Sequence, residues 1–237
     1  MQHSWLWLVL CVSVPLLGFS TLGSASDTAA GLKRPLDLPS GGRPADGEEE
    51  EDAPETILFY GSEFEGDCFV WCFPAYGFCG ETTVFTAIKA EINAALVQLS
   101  DNSDFDLVCF NSTTYLWRPV VSPANANNKA LATAWMNSMV PIESHCIVEA
   151  ATTALGILQA ASSDHKQMVL CGAREPYCNG QGGGDYVAGA LLDITAANYE
   201  GTPIHTIYFS TTFYSGEQAF YQQLANMNSG TFREVTY

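Results

Sequence analysis

Runs of consecutive apolar residues alternate along this chain with segments whose apolar residues recur every three or four positions, and that alternation restricts the fold more than any other feature. Phe69 to Phe73 is a five-residue apolar run that enters a tight loop at Pro74 to Gly80. Behind the loop Val84, Ile88, Ile92, Ala95, Leu96 and Leu99 share one helical face, with Lys89, Glu91 and Gln98 on the other. Phe105 to Phe110 reads as a strand, Tyr115 to Trp117 as an edge strand, and Asn127 to Met139 as a helix that stops before Pro141. Helical spacing returns at Ile147, Ala150, Ala151, Ala154, Leu155 and Leu158, and a buried strand follows at Met168 to Cys171. Tyr186, Val187, Ala190, Leu191 and Ile194 set another helix. Strand Ile204 to Phe209, helix Gln218 to Met227 and strand Thr231 to Val235 complete the series. Such alternation predicts an α/β domain: a doubly wound, mainly parallel sheet flanked by helices on both faces. Sheets of this kind carry their site in the crevice beyond the carboxyl ends of the central strands. The loops after Phe73, Phe110 and Cys171, and the one before Ile147, are therefore the places to look.

The N-terminus is organised differently. Trp5 to Phe19 is an apolar run of the length of a signal h-region, too short for a spanning helix, and Ser24-Ala25-Ser26 is a small-residue cleavage candidate. Residues 1–26 are accordingly read as a signal peptide, and a secreted, periplasmic or cell-envelope location is expected. No Lys or Arg precedes the run and Pro15 interrupts it, so an uncleaved N-terminal anchor stays open as the one membrane attachment. Residues 27–55 are rich in Gly, Pro, Ala and acids, with the run Glu48 to Asp52, and bury too little apolar surface to offset the entropy of ordering. They read as an acidic flexible linker, leaving 56–237 as a single domain.

Charge excludes several functions. The formal net charge is −17, and from Thr56 onward six Lys and Arg stand against seventeen Asp and Glu. Phosphate backbones need a basic face, so nucleic acid is excluded as a partner and an anionic lipid surface with it. Nucleophile motifs are missing too: there is no G-x-S-x-G, and Gly180 to Gly184, with Asp185 as a candidate N-cap, lacks the Lys-Ser/Thr of a phosphate-binding loop. The chain is read as a non-enzyme. Asn111-Ser112-Thr113 fits a glycosylation acceptor, His145 an ordinary polar surface residue, and His205 a packed strand residue.

From about Leu58 onward the chain resembles the von Willebrand factor A family, in particular its bacterial secreted members. The resemblance rests on the order and spacing of the lead-in Phe59 to Asp67 (FYGSEFEGD), Ile88 to Leu96 (IKAEINAAL), Asn198 to Ile207 (NYEGTPIHTI) and Ser229 to Val235 (SGTFREV). In that family the loop after the first main strand reads D-x-S-x-S, and its carboxylate and hydroxyls hold a divalent cation. Those positions fall here on Pro74, Tyr76 and Phe78. The family's threonine falls on His145 and its later aspartate on Gly172, so all five positions have lost a hard oxygen ligand. Ser144, one position away, with Glu143 or Glu175, would make only a weak magnesium site. The resemblance thus implies an adhesion-type interaction module with a degenerate cation site and no cofactor. It would bind a protein or cell-surface polymer through loop aromatics, with Tyr76, Phe78 and Tyr177 as the contact residues. The same aromatics filling the vacated site as local core is the other reading.

Cys79, Cys146 and Cys178 come with His145 to one rim of the sheet, whereas Cys72, Cys109 and Cys171 sit inside strand runs as buried thiols. Three readings of the rim stand: a disulfide, with Cys79 to Cys178 the expected pair; reduced packing; or a soft-metal or redox site using His145, Cys79 and Cys178. No C-x-x-C or H-x-x-H spacing supports the metal. Removal of the leader takes Cys11 and leaves seven cysteines, so at least one thiol would be free or intermolecular.

Overall fold

The computed structural model describes residues 54–75, 82–142, 145–211 and 216–237. The leader, nearly all of the linker, and Cys11, Tyr76, Phe78, Cys79, Glu143 and Ser144 lie outside the described residues.

The described residues open with a hairpin to which the sequence reading assigned no element: β1 (Glu55–Phe59) pairs antiparallel with β2 (Ser62–Gly66). Glu55, placed in the linker by composition, is the first residue of β1. The two turn residues, Tyr60 and Gly61, have φ of 48° and 74°. Positive φ at both central positions matches the twist of a two-residue hairpin, but it is a conformation that a tyrosine rarely adopts. Packing holds Tyr60 there. Its ring meets Phe59 at 5.0 Å and Phe209 at 5.2 Å, and its backbone N–H donates to Glu91 Oε1 at 2.6 Å.

A sheet follows with strand order β5-β4-β3-β7-β8-β9 and a two-residue strand, β6, against β4. β3 (Cys68–Pro74), β4 (Asp104–Phe110), β7 (Lys166–Gly172), β8 (Ile204–Ser210) and β9 (Phe232–Thr236) are parallel. β5 (Thr114–Leu116) and β6 (Ser122–Pro123) run antiparallel on β4. The helices are α1 (Thr82–Gln98), α2 (Ala126–Ser138), α3 (Ile147–Gln159), α4 (Gly184–Ala197) and α5 (Gln218–Met227). Gly183, not Asp185, is the N-cap of α4, and Asp185 lies in its first turn.

Period-two alternation along the strands divides the core. Phe69, Trp71 and Phe73 of β3 pack with the hairpin, α1 and α2, while Cys68, Val70 and Cys72 pack with α3, α4 and α5. The hairpin covers its share of the first face through Ile57, Phe59 and Phe64, all buried. Gln98 secures it to α1 by accepting from the Leu58 N–H at 2.7 Å and donating to the Leu58 carbonyl at 2.9 Å. Because β4 lies on one side of β3 and β7 on the other, the chain reverses direction across the sheet at β3. The crevice therefore opens beyond the carboxyl ends of β3 and β7.

Candidate functional site

Backbone hydrogen bonds close the floor of this crevice. Ala75, just past β3, donates to the Phe110 carbonyl at 2.7 Å and accepts from the Ile142 N–H at 3.1 Å. Pro74 ends β3 buried, with no donor and no side-chain oxygen to offer. Asn111 follows β4, and its side-chain oxygen accepts from the Thr113 N–H at 3.0 Å while its carbonyl accepts from the Cys146 N–H at 2.8 Å. At 1% exposure its carboxamide is a turn-former buried under the rim, which corrects the reading of this residue as a glycan acceptor.

His145 is also corrected: it is not a surface residue but 1% exposed, edge-on to Phe110 at 5.2 Å. Its Nε2 lies 3.2 Å from the phenol oxygen of Tyr221, on α5. The Tyr221 hydroxyl donates to the Arg174 carbonyl at 2.6 Å, so the hydrogen between phenol and imidazole belongs to Nε2. Burial, with the Arg174 charge adding to it, pushes the His145 pKa down to about 3, and the ring is neutral in the folded protein. Gly172, at the end of β7, has no room for a side chain: a Cβ there would stand 2.0 Å from the Tyr221 phenol oxygen. A single tyrosine thus occupies the space before Gly172 and bonds the residue at the histidine position.

Cys178 is not paired with Cys79. It forms a disulfide with Cys146, and the Cα atoms are 4.6 Å apart. The two segments meet where His145 and Tyr177, the residues preceding the two cysteines, form an antiparallel bridge. Cys68, Cys72, Cys109 and Cys171 are buried free thiols; burial raises the first and third to about 12 and the other two further still in the same direction. They remain protonated and unreactive.

Of the three aromatics expected to make contact, Tyr177 is described. It is 41% exposed. One side of its ring lies so close to Gly182 that a Cβ there would meet Cδ2 at 2.7 Å, and the Arg174 guanidinium stands 5.6 Å from the ring centre. The loop returns through a tight turn in which Cys178 and Gln181 exchange two backbone hydrogen bonds of 2.9 Å across Asn179 and Gly180, both at positive φ. Among the described residues no three His, Cys, Asp or Glu side chains gather as a metal site.

No protein-family model matches the sequence, and neither does any curated protein. Solved structures do match. A von Willebrand factor type A protein from Catenulispora acidiphila superposes with a TM-score of 0.58 and 14% identity over 78% of this chain, which spans 47% of that one. The fold is that of a von Willebrand factor A domain. BatB from Bacteroides thetaiotaomicron aligns at 12% identity over 72% of this chain and 91% of its own, with a TM-score of 0.55. The pilus adhesin SpaC from Lactobacillus rhamnosus GG aligns at 12% identity over 72% of this chain and 28% of its own, with a TM-score of 0.53. Within the von Willebrand factor A fold, β3 and β7 are the strands whose carboxyl ends border the crevice. Pro74, His145 and Gly172 all sit there, and none places a hard oxygen in it. At these three described positions no side-chain oxygen is available to a divalent cation.

Proposed function

We propose that this chain is an exported, non-enzymatic von Willebrand factor A module of the adhesion type, whose cation site has been replaced by protein groups and whose partner is a protein or a cell-surface polymer. One observation carries the reading. Tyr221 fills the place that an aspartate at 172 would need and hydrogen-bonds His145, so two former ligand positions are joined by a phenol. A cation would have to displace a buried ring and its bond to the Arg174 carbonyl.

Binding then falls to surface aromatics, and Tyr177 is suited to it. A ring already fixed between Gly182 and Arg174 loses little freedom on contact. Tyr76 and Phe78, which follow β3 in the sequence, would extend the surface. The Cys146–Cys178 disulfide accords with an oxidising compartment, and no helix among the described residues is long and apolar enough to cross a membrane. A soft-metal rim using Cys178 loses support, since that sulfur is committed to Cys146.

Calorimetric titration of the full chain with magnesium, manganese and calcium tests the reading. No binding heat at millimolar cation is expected, and capture of envelope fractions should survive EDTA but weaken in Tyr177→Ala. Stoichiometric micromolar binding of any of the three cations would overturn the proposal.

A further inference from the structure

Hydrogen bonds fasten the segment from Ala173 to Gly183 to the rest of the rim. The Tyr177 N–H reaches the His145 carbonyl at 3.4 Å, the Glu175 N–H donates to Glu217 Oε2 at 2.6 Å, and the Tyr221 phenol holds the Arg174 carbonyl. Residues 179–184 beyond Cys178 are exposed. The disulfide is the one covalent tie between this segment and the start of α3.

Its two sulfurs differ in surroundings. Cys178 is half-buried on the exposed segment, whereas Cys146 is 2% exposed and is the N-cap of the thirteen-residue α3, with no side chain capping the first turn. A thiolate left on Cys146 would lie at the N-terminal end of that helix, whose dipole lowers its basicity; the Ile147 N–H is already given to the His145 carbonyl at 2.9 Å, and Glu149, an acid in the turn, opposes the effect in part. A reachable sulfur joined to a good leaving group favours thiol exchange.

We propose that Cys146–Cys178 is a redox clasp on the binding rim: reduction by a small dithiol frees the segment carrying Tyr177 while the domain stays folded. The proposal rests on the reading of that rim as the binding surface. A thiolate of the dithiol attacks Cys178 Sγ, the S–S bond breaks, and Cys146 departs as a thiolate that takes up a proton. The second thiol of the reductant then attacks the mixed disulfide and releases Cys178, which is protonated in turn. The dithiol becomes a cyclic disulfide, and the protein gains two electrons and two protons.

The test uses the full chain under native conditions with dithiothreitol, an iodoacetamide quench, peptide mass mapping and limited proteolysis. Cys146 and Cys178 should be alkylated while Cys68, Cys72, Cys109 and Cys171 stay protected, and cleavage within 175–184 should rise about tenfold with a single cooperative melt retained. The Cys146→Ala, Cys178→Ala double variant should match the reduced protein. Three results would overturn the clasp: reduction that needs denaturant, cleavage unchanged after reduction, or alkylation of the buried thiols together with the rim pair, which would make the bond a staple of the whole domain. None of these readouts involves a partner, and the cation titration involves no thiol, so each proposal can fail alone.

Discussion

Gly172→Ala is the most direct perturbation of the filled crevice. The added methyl would stand 2.0 Å from the Tyr221 oxygen, 2.6 Å from Cζ and 2.8 Å from Cε1. A phenol is the far end of a side chain, but this one is fixed by its bond to Arg174, by His145 and by Tyr208, whose ring lies 5.4 Å away. Overpacking of this kind costs about 3 kcal/mol. For a domain of this size that lowers Tm by about 6–12 °C. Tyr221→Ala alone should cost about 4 kcal/mol through the cavity it leaves. In that background Gly172→Ala should be nearly free, within about 0.5 kcal/mol, giving a favourable coupling of about 2.5 kcal/mol in a double-mutant cycle. Urea unfolding followed by tryptophan fluorescence reads all four proteins. If Gly172→Ala is tolerated in the wild-type background, or if Tyr221→Ala fails to rescue it, the tyrosine does not fill the site.

Two buried titrating groups should give pH dependences of opposite sign. Asp106, fully buried on β4, accepts at Oδ1 from the Leu107 N–H at 2.7 Å and the Arg118 N–H at 3.3 Å, and burial pushes its pKa up to about 7 against the lowering effect of those bonds and of the Arg118 charge. The fold therefore favours the protonated acid: its contribution is complete below the usual carboxylate range and is lost as pH rises through about 7, about 4 kcal/mol in all. Asp106→Asn should flatten that decline and raise stability at pH 8, as read by denaturant midpoints; an unchanged pH profile would count against the buried acid. His205, between Thr231 and Gln167, has its pKa pushed down to about 4 by burial, so its stabilisation is present above the usual histidine range and lost as pH falls through about 4. His205→Gln should move the acid-unfolding midpoint to lower pH, and a midpoint that stays put or rises would refute the assignment.

Where side-chain periodicity sufficed, the elements were legible within a few residues. The spacing of Ile147, Ala150, Ala154 and Leu158 is α3, and the apolar run ending at Phe110 is β4. Burial of Cys72, Cys109 and Cys171 followed from their places in strands. The hairpin was missed although Ile57, Phe59 and Phe64 alternate about Tyr60-Gly61, because tyrosine is a poor residue for the first position of such a turn and only tertiary packing on Phe209 holds it there. The disulfide partner was missed for a related reason. Which cysteine meets Cys178 depends on the His145–Tyr177 bridge, a contact between loops that no local pattern encodes. Tyr221 was not singled out within the helix Gln218 to Met227, and its bond to His145 spans 76 positions. The only sequence signal for it was negative: a glycine at 172 needs some other group to fill the space.

That negative signal links the two halves of the site. A cation in such a crevice would hold the loops after β3 and β7 and the turn before α3 by drawing their oxygens together, and its loss would leave those loops free to separate. In this chain protein contacts span each of these junctions. Ala75 bonds Ile142 and Phe110 at the first, Tyr221 joins Arg174 to His145 at the second, and the disulfide binds Cys178 to Cys146 at the third. The first two rest on Ala75, Phe110, His145 and Tyr221, which are buried and tied into the sheet and α5, so they hold as long as the domain is folded. The third alone joins an exposed segment by a bond that thiol chemistry can open, and that places any adjustable order of the rim on the loop that carries Tyr177.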